Sequence, residues 1–146
     1  MKIQNFELQK ALRANYESEI ALVNAYTDAQ IHCSHSKIAE CDFASETWCS
    51  DTRPTARICL HCGLMEEGWD FIVLKSQELL KIDRKLLYSL RQGIGIDWTE
   101  YLKDSKGADT SIKGLLLKEK TLSEILEDNR VSRVARLKEV MEKCLI

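Results

Sequence analysis

Between residues 5 and 31, apolar side chains recur at steps of three and four: Leu8, Leu12, Tyr16, Ile20, Val23 and Tyr26. That spacing stacks them into one stripe along an α-helix, and neither glycine nor proline interrupts the run. The pattern predicts a single helix of about seven turns, roughly 40 Å long. A helix of that length in a chain of 146 residues has to cover its stripe. The first expectation is packing along a C-terminal helix of the same chain. The alternative is pairing with a second copy, a homodimer through a coiled-coil-like seam.

The stripe runs into Cys33-Ser-His35, and the pattern then changes. As far as Cys59 the chain is rich in Ser, Thr and Asp, punctuated by Arg53-Pro54, and reads as a long polar loop. A loop of that length in a compact domain needs a staple to be ordered. Cys59-Leu-His-Cys62-Gly63 reads as a tight turn. Met65 to Trp69 follows as a reversal, and Asp70 to Leu74 as a short return strand. Helical spacing resumes from Ser76 to Gln92, with Ser76 as N-cap, Leu79, Leu80, Leu86, Leu87 and Leu90 as the apolar stripe, and Gly93 as the stop. Asp97-Trp-Thr-Glu100 has capping-box spacing and predicts a short helix to about Lys103. Thr121-Leu-Ser-Glu124 is a capping box in its standard form. It opens a last helix whose apolar face includes Leu122, Ile125, Leu126, Val134, Leu137, Val140 and Met141. Cys144 falls on that face and reads as a core residue.

The chemistry is concentrated in residues 32–63. All three histidines (His32, His35, His61) lie there, with five of the six cysteines (Cys33, Cys41, Cys49, Cys59, Cys62). Thiolate and imidazole are the ligands that Zn²⁺ takes in closed tetrahedral sites. Two cysteines three apart let both sulfurs face one ion from a tight turn, and Gly63 directly after them supplies the left-handed backbone such a turn needs. The expected metal ligands are Cys33, His35, Cys59 and Cys62, two short-spaced pairs separated by a long loop. Cys41 and Cys49 are the alternates for the first pair, and His32 and His61 read as exposed neighbours. The fold class expected from these patterns is mainly α: a long N-terminal helix over 1–31, a small zinc-stapled ribbon or knuckle over 32–70, and a helical region over 71–146 packing on the first helix.

Composition narrows the setting. Six glycines and one proline favour helices over a many-turned β fold. The N-terminus has no apolar core of signal-peptide length and no run approaches a membrane span, so the expectation is a cytoplasmic protein without membrane contact. Clustered cysteines in a reducing compartment point to metal rather than disulfides. The net charge of −2 is unevenly spread: residues 1–31 carry 3 basic and 4 acidic groups, 32–70 carry 3 and 7, and 71–146 carry 15 and 12. The metal-binding stretch is the acidic one, the wrong sign for a finger that grips phosphate.

Arg57-Ile-Cys59-Leu-His-Cys62-Gly63-Leu64, following Cys33-Ser-His35, resembles the small C-x-H…C-x-x-C-G zinc-ribbon-like accessory proteins of phages and mobile elements. In those, a helix often precedes the first pair and an R-x-C-x-x-C-G-L stretch closes the site. The resemblance covers residues 33–67 and implies zinc, while leaving activity open. No catalytic constellation accompanies the donors. In the deaminase pattern H-x-E…P-C-x-x-C, His35 would be followed by a glutamate at the second position, where Lys37 stands, and Ile58 replaces the proline. H-E-x-x-H and G-x-S-x-G are absent. Glu66 and Glu67 remain as conceivable bases. The first functional expectation is a non-catalytic protein-binding module, an adaptor or inhibitor, whose acidic surface meets another protein. The second is a nucleic-acid-binding regulator using Arg130, Arg133 and Arg136 on the last helix. The third is a zinc-dependent hydrolase or deaminase.

Overall fold

The computed structural model describes residues 2–45, 52–68, 70–76, 78–97 and 120–145. Helix α1 spans Phe6–His32 and is opened by Asn5, whose side-chain oxygen accepts from the amide of Leu8 at 2.8 Å. This cap satisfies one of the amides that a first helical turn leaves free. Strands β1 (Ile38–Cys41), β2 (Ala44–Ser45), β3 (Thr52–Arg53), β4 (Ala56–Cys59), β5 (Met65–Glu67) and β6 (Leu79–Lys81) follow. Then come α2 (Arg84–Leu90), β7 (Gly95–Asp97) and α3 (Leu122–Cys144).

The main sheet has the order β6-β1-β4-β5-β7. Strand β4 lies at its centre, antiparallel to β1 and to β5. The outer strands β6 and β7 add in parallel, to β1 and β5 respectively. In the register, Ile38 stands opposite Cys59 and Ala39 opposite Ile58, so alternate residues go to opposite faces. One face carries Ile38, Cys59, Leu64, Leu74 and Ile96, closed over by Leu126 of α3. The other carries Ala39, Cys41, Ala56, Ile58 and Met65 under Leu87 of α2. Helix α3 runs antiparallel to α1: the Ile3 amide donates to the Cys144 carbonyl at one end, and Arg130 pairs with Asp28 near the other. Thr121 caps α3 by accepting from the Glu124 amide at 3.2 Å.

The mainly α expectation is therefore wrong, because a five-stranded mixed sheet forms the middle of the molecule. Much of the supposed polar loop before Cys59 is strand, and the segment from Ser76 to Gln92 divides into β6 and α2. Asp83 caps α2 by accepting from the Leu86 amide at 2.7 Å, so Leu79 and Leu80 belong to the strand before it. Met65–Glu67 is a strand rather than a reversal, and residues 70–74 are irregular. Beyond Asp97, which ends β7, the short helix expected to Lys103 lies outside the described residues. These strands are two to four residues long. Buried on both faces, β1 shows no apolar–polar alternation to reveal it.

Buried charge holds the irregular segment to the sheet. The Glu66 carboxylate, fully inaccessible, accepts from the amides of Ile72, Val73 and Leu74 at 2.8, 3.1 and 2.9 Å. Beside it, Arg57 donates to Glu40 at 2.7 Å and to the Leu74 carbonyl at 2.8 Å, and its guanidinium lies 4.0 Å above the Phe71 ring. Burial alone would raise the Glu40 carboxyl, but hydrogen bonds from Lys81 and Arg57 outweigh it and hold it below its ordinary value. Replacing Glu66 with Ala strands three amides at once. The expected loss is about 3 kcal/mol of folding free energy in chemical denaturation, against a change within about 0.5 kcal/mol for exposed Glu78→Ala.

Candidate metal centre

Helix α1 delivers the first pair of donors. The chain leaves the helix at Cys33 in extended conformation, and at His35 it turns into the left-handed region with φ of 53°. A residue with a Cβ adopts that conformation at a cost of about 1 kcal/mol, and here it accompanies the approach of both side chains to the β4–β5 turn. The His35 amide lies 3.3 Å from the Cys33 sulfur and donates to it.

The β4–β5 turn delivers the second pair. It is closed by the Gly63 amide donating to the Cys59 carbonyl at 2.8 Å and by the Cys59 amide donating to the Leu64 carbonyl at 2.9 Å. Gly63 is needed twice over. Its φ is +74°, and a Cβ there would come within 2.6 Å of the Gln92 side chain and 3.1 Å of the Gln92 backbone nitrogen.

The four expected donors meet: one ligand atom each from Cys33, His35, Cys59 and Cys62 lie within 4.8 Å of one another. The Cys33 and Cys59 sulfurs are 3.6 Å apart, and His35 Nδ1 is 3.4 Å from the Cys62 sulfur. A zinc tetrahedron has sulfur–sulfur and sulfur–nitrogen edges of about 3.7 and 3.6 Å, so the cluster can hold a metal ion and its geometry suits zinc. Both knuckle cysteines are buried, while Cys33 and His35 are partly exposed. Burial lowers the His35 pKa, which leaves a neutral imidazole with a free lone pair at neutral pH. Burial pushes the Cys62 thiol up, so a metal must displace its proton.

The remaining candidates separate from this centre. Cys41 sits on the opposite face of the sheet among Ala39, Ala56 and Ile58, and Cys49 lies outside the described residues. His32 and His61 are exposed, with His32 Nδ1 2.9 Å from the Asp28 carbonyl. Cys144 is partly buried on α3. Of the arginines, Arg130 is engaged with Asp28 and Glu127, while Arg133 and Arg136 line a cavity with Arg91. Glu66 is committed to the 72–74 amides. Glu67 points to the far face, where Tyr88 donates to it at 2.6 Å.

One residue that periodicity did not single out binds the centre to its surroundings. Gln30, 2% exposed, donates to the Cys62 carbonyl at 3.2 Å and to the Gln92 carbonyl at 2.6 Å. In addition, the Gln92 amide donates to the Gly63 carbonyl at 3.0 Å. The knuckle thereby fixes the loop that leads to β7. Its sequence trace is slight, because the buried face of α1 carries Gln9 and Thr27 as well as Gln30, polar residues that an apolar periodicity passes over.

Cys59→Ser and Cys62→Ser are each expected to abolish stoichiometric zinc in elemental analysis of the purified chain, whereas Cys41→Ser keeps one zinc per chain. Zinc affinity in a competing-chelator titration should fall as pH falls, since the proton on Cys62 competes with the metal. The lowered His35 pKa adds to that loss only once the pH drops below the ordinary imidazole range. Compared with protein-family models, with curated proteins and with solved structures, the chain matches none.

Proposed function

We propose that the protein is a non-catalytic, zinc-stabilised binding module whose partner is another protein, in the manner of an adaptor or inhibitor. The observation that carries this reading is the donor set itself. Three cysteines and one histidine supply four ligands, which is the full complement of a structural zinc and leaves no position for a reacting water. The two carboxylates that could have served as bases are spoken for. Glu66 clamps backbone amides and Glu67 faces the other side of the sheet.

The surface suited to a partner is apolar rather than acidic. Glu40, Glu66 and Glu67, three of the seven acidic residues of 32–70, are buried, so part of the charge of this stretch is spent inside. Beside the knuckle, Leu60 and Leu90 are 42 and 37% exposed. Leu60 and Leu90 line a cavity of about 210 Å³ with Tyr26 and His61. Exposed apolar groups gathered in this way are how binding surfaces differ from the scattered apolar residues of any protein.

Cobalt substitution tests the closed site. The expected spectrum is tetrahedral and thiolate-rich, and unchanged by added azide or cyanide; a spectrum that shifts with those anions would reveal an open position and return the enzyme reading. The partner is tested by pull-down with nuclease present. A protein retained by the native chain and lost by a Leu60→Asp/Leu90→Asp variant of unchanged zinc content is the expected result, and partners released by nuclease alone would argue against it.

A further inference from the structure

A second cavity, of about 400 Å³, opens between the loop before β7 and helix α3. Arg91 comes from the loop, and Arg133 and Arg136 from successive turns of the helix. The rest of the lining is Gly93, Ile94, Gly95, Asn129 and Ser132, and contains no carboxylate. Among the described residues none of the three arginines has an ion pair, while Arg57, Arg84 and Arg130 are each matched with glutamate or aspartate. Glu19 stands in the adjoining cavity between α1 and α3, also lined by Arg133 and Arg136, and forms no ion pair with either among the described residues. Three like charges gathered without compensation repel one another, a cost that an anionic ligand removes.

The backbone of this loop is shaped to let the guanidinium groups in. Gly93 has φ of +70°, and a Cβ on it would lie 3.7 Å from Arg133 Nη1. A Cβ on Gly95 would lie only 2.9 Å from Arg91 Nη2. One arginine tip, of Arg133, thus lies near Gly93, and another, of Arg91, lies close against Gly95. With Arg136, three guanidinium forks line one cavity and offer donors to more than one phosphate group, each accepting from a planar fork. Ser132 and Asn129 add neutral hydrogen-bonding groups, and the volume falls in the range of small-molecule sites.

We infer that the Arg91–Arg133–Arg136 cavity is an oxyanion site for a ligand presenting two adjacent phosphates. The same chemistry comes from two sources, a free di- or triphosphate and the backbone of a nucleic-acid strand. The site is independent of the apolar surface beside the knuckle and adds a ligand to a module proposed above to bind protein. It includes Arg91, which lies 39 residues or more from the α3 arginines in the chain, and leaves out Arg130.

The test uses the zinc-loaded full chain at low salt, titrated with pyrophosphate by calorimetry and, separately, with a fluorescent single-stranded oligonucleotide by anisotropy. Saturable binding is expected, weakened about tenfold or more by Arg91→Ala, Arg133→Ala or exposed Arg136→Ala, each removing a charge-assisted pair. Arg130→Ala, whose guanidinium is already occupied, should alter it less than about twofold. Zinc content and circular dichroism establish that each variant is folded. Binding of pyrophosphate assigns the site to free di- or triphosphates. Binding of the oligonucleotide alone, with the same arginine dependence, assigns it to a strand. If neither ligand saturates, or if Arg130→Ala weakens binding as much as Arg133→Ala does, the inference is overturned.

Discussion

Everything else in this molecule leans on the junction of the α1 C-terminus with the β4–β5 turn, where Cys33, His35, Cys59 and Cys62 converge. The strands it organises are short, four residues at most, and ladders of that length hold too few hydrogen bonds to offset the entropy of ordering the loops between them. A zinc ion held by these four donors would supply a contribution of the required size, on the order of 10 kcal/mol for structural zinc. The same turn also offers its carbonyls. Cys62 accepts from Gln30 and Gly63 accepts from Gln92, so one clasp sets both the seating of the long helix and the path of the chain into β7.

Polar groups do a comparable job inside the sheet layers. On the α3 side Glu40, Arg57 and Glu66 tie strands β1, β4 and β5 to residues 72–74. On the α2 side Glu67 meets Tyr88 and Arg84. Buried charge costs several kcal/mol unless it is paired and hydrogen-bonded, and the pairing here meets that condition. The consequence reaches the surface, because three of the seven acidic groups of residues 32–70 are taken inside.

What remains outside is divided by the clasp. The exposed leucines lie beside the knuckle at Leu60 and Leu90, and the unpaired arginines lie across the loop that Gln92 begins. Leu60 lies in the turn itself, and Leu90 and Arg91 directly precede Gln92, whose amide donates to the Gly63 carbonyl. A metal held by the four donors would therefore bear on the loop next to both surfaces.

The four donors that meet were legible in the chain because each pair is local: two donors two or three residues apart, with a glycine where the turn must go left-handed. The two long helices were legible for the same reason, through apolar periodicity over many turns and, for α3, through the capping box that Thr121 opens; the Asn5 cap of α1 came only with the structure. The sheet was not. Strands such as Ile38–Cys41 and Met65–Glu67 are too brief for a period-two pattern and carry carboxylates that look like surface until Arg57, Lys81 or backbone amides are brought to them. The grouping of Arg91 with Arg133 and Arg136, and the pairing that takes Arg130 away, depend on how α3 crosses the loop before β7. Local spacing determined the donors and the helix ends; only long-range packing decided the sheet, the buried charges and which arginines are left free.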